Sequence, residues 1–191
     1  MQSHESYINQ EDFTRILDEI PQLNIRKWYD NDVRWLFKIL YWLALRPSEA
    51  IKLKKEDFNL EDREVYLGRT KTRKGDKVPI PKLFVEPLKQ WLVLKSPGRL
   101  WPDLKYATLY DWTIKLGKRL DIKAWTTPES ESGQKTKGHL FRKTNLKDMY
   151  FGTWGKKIDP VIIAGQSRHS NTRVLFEKYL RLGIEATKEA W

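Results

Sequence analysis

DNDVRWLFKILYWLALRPSEAIKL, residues 30–53, decides the fold. Val33, Leu36, Phe37, Leu40, Leu43 and Ala44 recur every three or four residues, which lays a wide apolar stripe along a helix over 30–45. A stripe that wide belongs to a central element. Pro47 suits the first turn of a new helix within 46–53, because its missing N–H would be unpaired there anyway. Beyond it the period changes. REVYLGRT (63–70) and DKVPIP (76–81) read as two short strands around KTRKGD, whose Gly75 suits a turn. Pro79 cannot donate to a ladder, so the second strand belongs at a sheet edge.

Helical patterns fill most of what remains. NQEDFTRILDEI (9–20) opens on a capping residue and acids and ends at Pro21. Residues 82–95, with Pro87 leaving the start open, and 106–121 follow, joined by the loop 96–103. TTPESESGQKTKG (126–138) is polar and reads as a mobile loop. The stretches 139–151, 159–166, 171–182 and 184–191 are helical in pattern, and no internal repeat is present. The expected architecture is one domain over 1–191, mainly α with a small antiparallel β-sheet near residues 57–81 (an α+β fold).

A chain of 191 residues with 40% hydrophobic content can bury one sizeable core. Its formal net charge of +11 points to a polyanion, most often nucleic acid. Nine tryptophans call for a large core or a stacking surface, and core is the better reading. The absence of cysteine excludes disulfides, thiolate metal sites and cysteine nucleophiles, and fits a cytoplasmic chain. The longest apolar run, WLFKILYWLALR (35–46), is interrupted by Lys38 and falls short of the ~18 residues of a membrane span. MQSHESYINQ is neither a signal sequence nor a transit peptide.

Candidate chemistry gathers around arginine. Arg46 ends the apolar helix, with Glu49 three residues on and able to hold it. His139 and Arg142 are also three apart, so on a helix they share a face. Arginine meets phosphate oxygens with a two-pronged fork and keeps its proton, so two of them can stabilise a phosphoryl-transfer transition state. No Asp/Glu cluster has metal-ligand spacing, and no cofactor or metal is expected. On charge alone the hairpin GRTKTRKGDK is a solvated basic turn, but such a hairpin can also carry Lys71 to a phosphate. GQSRHSNTRVLFEKYLR (165–181) holds His169 and, ten residues later, Tyr179. Tyr150 and Tyr110 are rivals for a nucleophile, since a phenol near cations can be activated.

Taken in order, Arg46, Lys71, His139-x-x-Arg142, His169 and Tyr179 resemble the catalytic domain of the tyrosine recombinases, the phage-integrase family. LALRPSEAIKLKKEDF resembles the first arginine box, and GRTKTRKGDKVPIP the hairpin lysine followed by Val-Pro-Leu. GHLFRK resembles the His-x-x-Arg box, and IIAGQSRHSNTRVLFEKYL the Leu-Gly-His segment running to tyrosine. Each motif alone is weak; their order over roughly 8–182 is specific. TRVL is reminiscent of integrases of archaeal viruses and plasmids. The chain departs from the pattern in two places: Ala44 stands where the family has glycine, and Gln166 where Gly-His would put its histidine. His169 takes the second histidine role, with Gln166 as rival.

The resemblance implies that Tyr179 attacks a phosphodiester of double-stranded DNA and becomes joined to the 3′ phosphate. Arg46 and Arg142 would clamp the non-bridging oxygens, and Lys71 (or Lys74) would protonate the leaving 5′ oxygen. His139 would take the tyrosine proton or orient the phosphate, and His169 would hydrogen-bond it. Arg69, Arg73, Lys74, Lys143 and Arg168 would touch the DNA backbone. The resemblance also implies a homotetramer on two duplexes, a monomer alone, and residues 183–191 as an exchanged segment. The family's N-terminal core-binding domain has no counterpart in this chain. Three readings compete: a type IB topoisomerase with the same chemistry, an inactive DNA-binding protein on this fold, and a basic RNA-binding protein.

Overall fold

The computed structural model describes residues 8–25, 29–68, 76–122 and 139–167. The elements run α1 (Gln10–Glu19), a 3-10 turn (Ile20–Leu23), α2 (Asp30–Trp42), α3 (Pro47–Ala50), a 3-10 turn (Lys55–Asp57), β1 (Phe58–Asn59), β2 (Glu64–Leu67), β3 (Asp76–Pro79), α4 (Lys82–Val93), α5 (Tyr106–Leu120), α6 (His139–Phe151) and α7 (Pro160–Gln166). The expected helices over 171–182 and 184–191, the polar loop 126–138 and the hairpin tip lie outside the described residues.

Helix α2 is the axis of the molecule, as its apolar stripe requires. Val33, Leu36, Phe37, Ile39 and Leu40 are all fully buried, and α6 packs along it. The described tryptophans go largely to the core. Trp35 stacks on Trp91 with ring centroids 5.0 Å apart, and Trp91 on Trp101 at 5.8 Å. Asp32 ties that stack down. Its Oδ1 accepts from Trp91 Nε1 at 3.2 Å and from Lys95 Nζ, and its carbonyl accepts from Trp101 Nε1 at 3.0 Å.

Two expectations change in detail. Helix α2 stops at Trp42 rather than running to residue 45, because Ala44 adopts left-handed backbone, φ +48°. The sheet has three antiparallel strands in the order β1-β2-β3 rather than two. Phe58 pairs with Val65, and Val65 with Val78. Val65 and Val78 face the core, whereas Tyr66 and Lys77 face outward. Pro79 does sit on an edge strand, and α4 runs through Pro87. The N–H that proline lacks would have bonded Leu83, and both residues are exposed, so the freed carbonyl can take water. Gly152 closes α6 at φ +76°, where a Cβ would lie 2.9 Å from the Lys157 backbone nitrogen. Among the described residues no helix is long and apolar enough to cross a membrane.

Candidate active site

The turn between α2 and α3 builds the first half of the site. Leu43 N–H still closes on Ile39, and Ala44 N–H reaches Tyr41 at 3.2 Å. The left-handed Ala44 then reverses the chain. That conformation costs a non-glycine residue about 1–2 kcal/mol, and it aims the Ala44 carbonyl at α6. Arg46 follows as the N-cap of α3. Its backbone N–H donates to Glu49 Oε2 and its Nη1 to Glu49 Oε1, both at 2.8 Å. Glu49 therefore holds Arg46 at both ends, as expected, while the arginine side chain keeps about a third of its surface open (34%).

Helix α6 supplies the second half. Arg142 is wholly buried (0% exposed). Its Nη1 donates to the Ala44 carbonyl at 2.7 Å, and its Nη2 donates to the Ser167 carbonyl just past α7. One guanidinium thus joins the turn before Arg46 to the start of the segment leading to His169 and Tyr179. His139, one turn earlier on α6, is half-buried. Burial first, then the positive charges of Arg142 and Arg46, hold its imidazole below the ordinary 6.5, while Glu49 pulls the other way. At neutral pH it stands uncharged, a state that accepts a proton.

The described residues thus bring together Arg46, Glu49, His139 and Arg142. Lys143 is beside Arg142 on α6 and half-buried, and Gln166 ends α7, one residue before the carbonyl that Arg142 grips. Lys71, His169, Tyr179, Arg69, Arg73, Lys74 and Arg168 lie outside the described residues. Of the rival tyrosines, Tyr150 packs against the small cluster of Ala44, Leu146, Met149 and Ile163, and Tyr110 is half-buried on α5. No group of three metal-ligating side chains gathers among the described residues.

Sequence reasoning missed Asn145. It is completely buried on α6, and its Nδ2 reaches the Trp42 carbonyl at 3.5 Å. The available signal was an amide at a core register of the helix, between Phe141 and Met149. It also missed the Tyr41–Asp148 pair, in which the phenol donates to Asp148 Oδ2 at 2.6 Å.

No curated protein matches the chain. Among solved structures, the catalytic domain of bacteriophage HP1 integrase is 21% identical, with a TM-score of 0.64 over 96% of this chain and 92% of that one. XerA recombinase is 18% identical, TM-score 0.68, over 96% of this chain and 63% of that one. The XerH site-specific recombinase in a post-cleavage complex with palindromic difH substrate is 19% identical, TM-score 0.67, over 98% of this chain and 53% of that one. These likenesses establish the fold as that of a tyrosine recombinase catalytic domain. The model of the Phage integrase family matches residues 6–183, nearly the whole chain, which therefore belongs to the phage integrase family, the tyrosine recombinases.

Proposed function

We propose that this chain cuts and reseals one strand of double-stranded DNA through a 3′-phosphotyrosine at Tyr179, as a site-specific recombinase or integrase. The observation that carries the reading is the convergence of Arg46 with the pair His139 and Arg142, remote from it in sequence, with His139 under the charge of both arginines. A partly open arginine, Arg46, a second fixed positive charge buried behind it at Arg142, and an uncharged imidazole match the needs of a phosphoryl transfer: a contact for the non-bridging oxygens, a positive field around them and an acceptor for the phenol proton.

In this reading Tyr179 Oη attacks phosphorus, its proton passes to His139, and the 5′ oxygen leaves with a proton from Lys71 in the basic hairpin. Lys74 is the alternative donor. His169, or Gln166 in its place, donates a hydrogen bond to the phosphate. The released 5′ hydroxyl, or one from a second duplex, then attacks the phosphotyrosine and frees Tyr179. One ester replaces another, so no ATP is consumed. Arg69, Arg73, Lys74, Lys143 and Arg168 hold the backbone phosphates. A net charge of +11 makes that affinity fall steeply with salt. The protein is a monomer alone and works on DNA in the host cytoplasm. Strand exchange requires four copies on two duplexes, with residues 183–191 exchanged between neighbours.

The test is covalent trapping. The protein is mixed with supercoiled plasmid in EDTA, quenched in detergent and digested with protease, with Tyr179→Phe in parallel. Protein-linked nicks or relaxed topoisomers that vanish in Tyr179→Phe are expected. Equal activity in that variant would overturn the assignment. Joining of ends from two different duplexes separates a recombinase from a topoisomerase.

A further inference from the structure

Asn145 is a buried polar side chain beside the site that the proposed mechanism leaves without a role. It sits in the interior of α6, fully buried, where the packing against α2 favours leucine or isoleucine. Its return for that burial is partial. Nδ2 makes one long hydrogen bond, 3.5 Å, to the Trp42 carbonyl, and Oδ1 has no protein partner. A buried amide left half-satisfied lowers stability. Residues kept at such a cost concentrate where geometry matters more than stability.

The place where Asn145 spends its one bond is informative. Trp42 is the last residue of α2, and Ala44 is the left-handed residue that turns the chain toward Arg46. Asn145 and Arg142 are one turn apart on α6, and they take alternate carbonyls of that turn, residues 42 and 44. The turn is thereby held at two points from one rigid helix. Two residues further on, Arg46 inherits its position from that grip.

We infer that Asn145 is a positioning residue, which sets Arg46 and Arg142 in register by holding the carbonyl end of α2. Among the described residues it hydrogen-bonds to neither arginine; it acts through the turn. Without it, the turn keeps its packing and its hydrogen bond to Arg142 but loses the second hydrogen bond from α6, which lets the carbonyl end of α2 shift relative to that helix. The inference rests on the DNA-cleaving function proposed above.

The test uses the full chain and Asn145→Leu, a near-isosteric change that removes the unsatisfied acceptor. Three quantities are measured: the melting temperature, the dissociation constant for a DNA duplex bearing a cleavable site by fluorescence anisotropy, and the rate of covalent complex formation at saturating protein. The expected result is a melting temperature at or above that of the unsubstituted chain, a dissociation constant within about twofold, and a cleavage rate at least tenfold lower, about 1.4 kcal/mol on the barrier. A rate within twofold in a folded Asn145→Leu would overturn the inference. Asn145→Ala is the second variant; failure of both to fold would make Asn145 a folding residue and overturn it equally. Side-chain ¹⁵N resonances of Arg46 and Arg142 provide a readout independent of DNA. They should shift or broaden in Asn145→Leu, and unchanged resonances would count against the inference. If the unsubstituted chain cleaves no DNA while these resonances respond, the cleavage function fails and the positioning role stands.

Discussion

The two arginines of the site carry the same formal charge but different structural burdens, and replacing each by lysine separates chemistry from folding. Arg142 is fully buried and its two amino groups serve two carbonyls, Ala44 and Ser167. Lysine has one nitrogen on a flexible stem and cannot span both. Arg142→Lys forfeits at least one hydrogen bond from a charged donor, worth about 1.5–3 kcal/mol, and leaves a buried carbonyl unpaired at about 1–3 kcal/mol. These costs overlap, so the expected loss is about 2–4 kcal/mol. For a domain of this size that is roughly 5–15 °C in Tm, at about 2–4 °C per kcal/mol. Arg46 is different. Its side chain is a third exposed, and its guanidinium meets one carboxylate oxygen at 2.8 Å, an interaction worth about 0.2–1 kcal/mol. Its backbone bond to Glu49 Oε2 survives any side-chain change. Arg46→Lys should therefore cost under about 1 kcal/mol, or less than about 4 °C. Urea denaturation and thermal melts measure both, and the trapping assay should show cleavage impaired in each. Equal destabilisation by the two substitutions, or Arg142→Lys within 0.5 kcal/mol of the parent, would refute the claim that Arg142 bridges the two segments.

Three further predictions follow from single contacts. His139 is held below its ordinary 6.5, so below pH 6.5 the unfolded chain binds a proton that the folded chain refuses. Its contribution to stability is complete above that pH and falls as pH drops toward the folded value, by at most about 1.4 kcal/mol per unit; His139→Gln should flatten that part of a stability-versus-pH curve. Burial raises the Asp148 carboxyl above its ordinary 3.8, and the Tyr41 hydroxyl, donating at 2.6 Å, opposes the rise. Tyr41→Phe should therefore push Asp148 higher still, visible in its ¹³C carboxyl titration, and cost about 1.5–3 kcal/mol near neutral pH, less as acidification protonates the carboxylate. Ala44→Gly relieves a left-handed φ of +48° but removes a buried methyl and loosens the unfolded chain, so it should shift stability by less than about 1 kcal/mol. Ala44→Val, with a branched side chain at positive φ, should destabilise by more than about 2 kcal/mol in urea.

How far the fold could be read from the sequence depended on length and period. Helix α2 was legible because its apolar residues repeat over more than three turns. Its end was not, since an alanine in left-handed backbone carries no local mark; the only signal was the family's glycine at that position, and its replacement by Ala44 looked like a mere departure. Strand β1 has two residues, too few for an alternation to register. The β2-β3 pairing was legible because the sequence separates two short β-rich runs by a brief glycine-containing polar stretch.

The site divides in the same way. The spacing of His139 and Arg142 placed them on one helical face, and the spacing of Arg46 and Glu49 foretold their ion pair; both relations are local and survive any tertiary arrangement. What Arg142 grips is not local. Its two carbonyl partners lie 98 residues before it and 25 after it, and a carbonyl belongs to every residue, so no side-chain pattern announces them. The motif order therefore pointed to Arg46, His139 and Arg142 but was silent on how the fold holds them. Arg46, fixed by its neighbour Glu49, keeps a third of its side chain exposed, as the proposed phosphate contact requires. Arg142, sunk between the ends of α2 and α7, ties three segments distant in sequence together. A charged residue named for catalysis is thus also the central fastening of the fold around it, which is why its replacement by lysine should cost stability as well as rate.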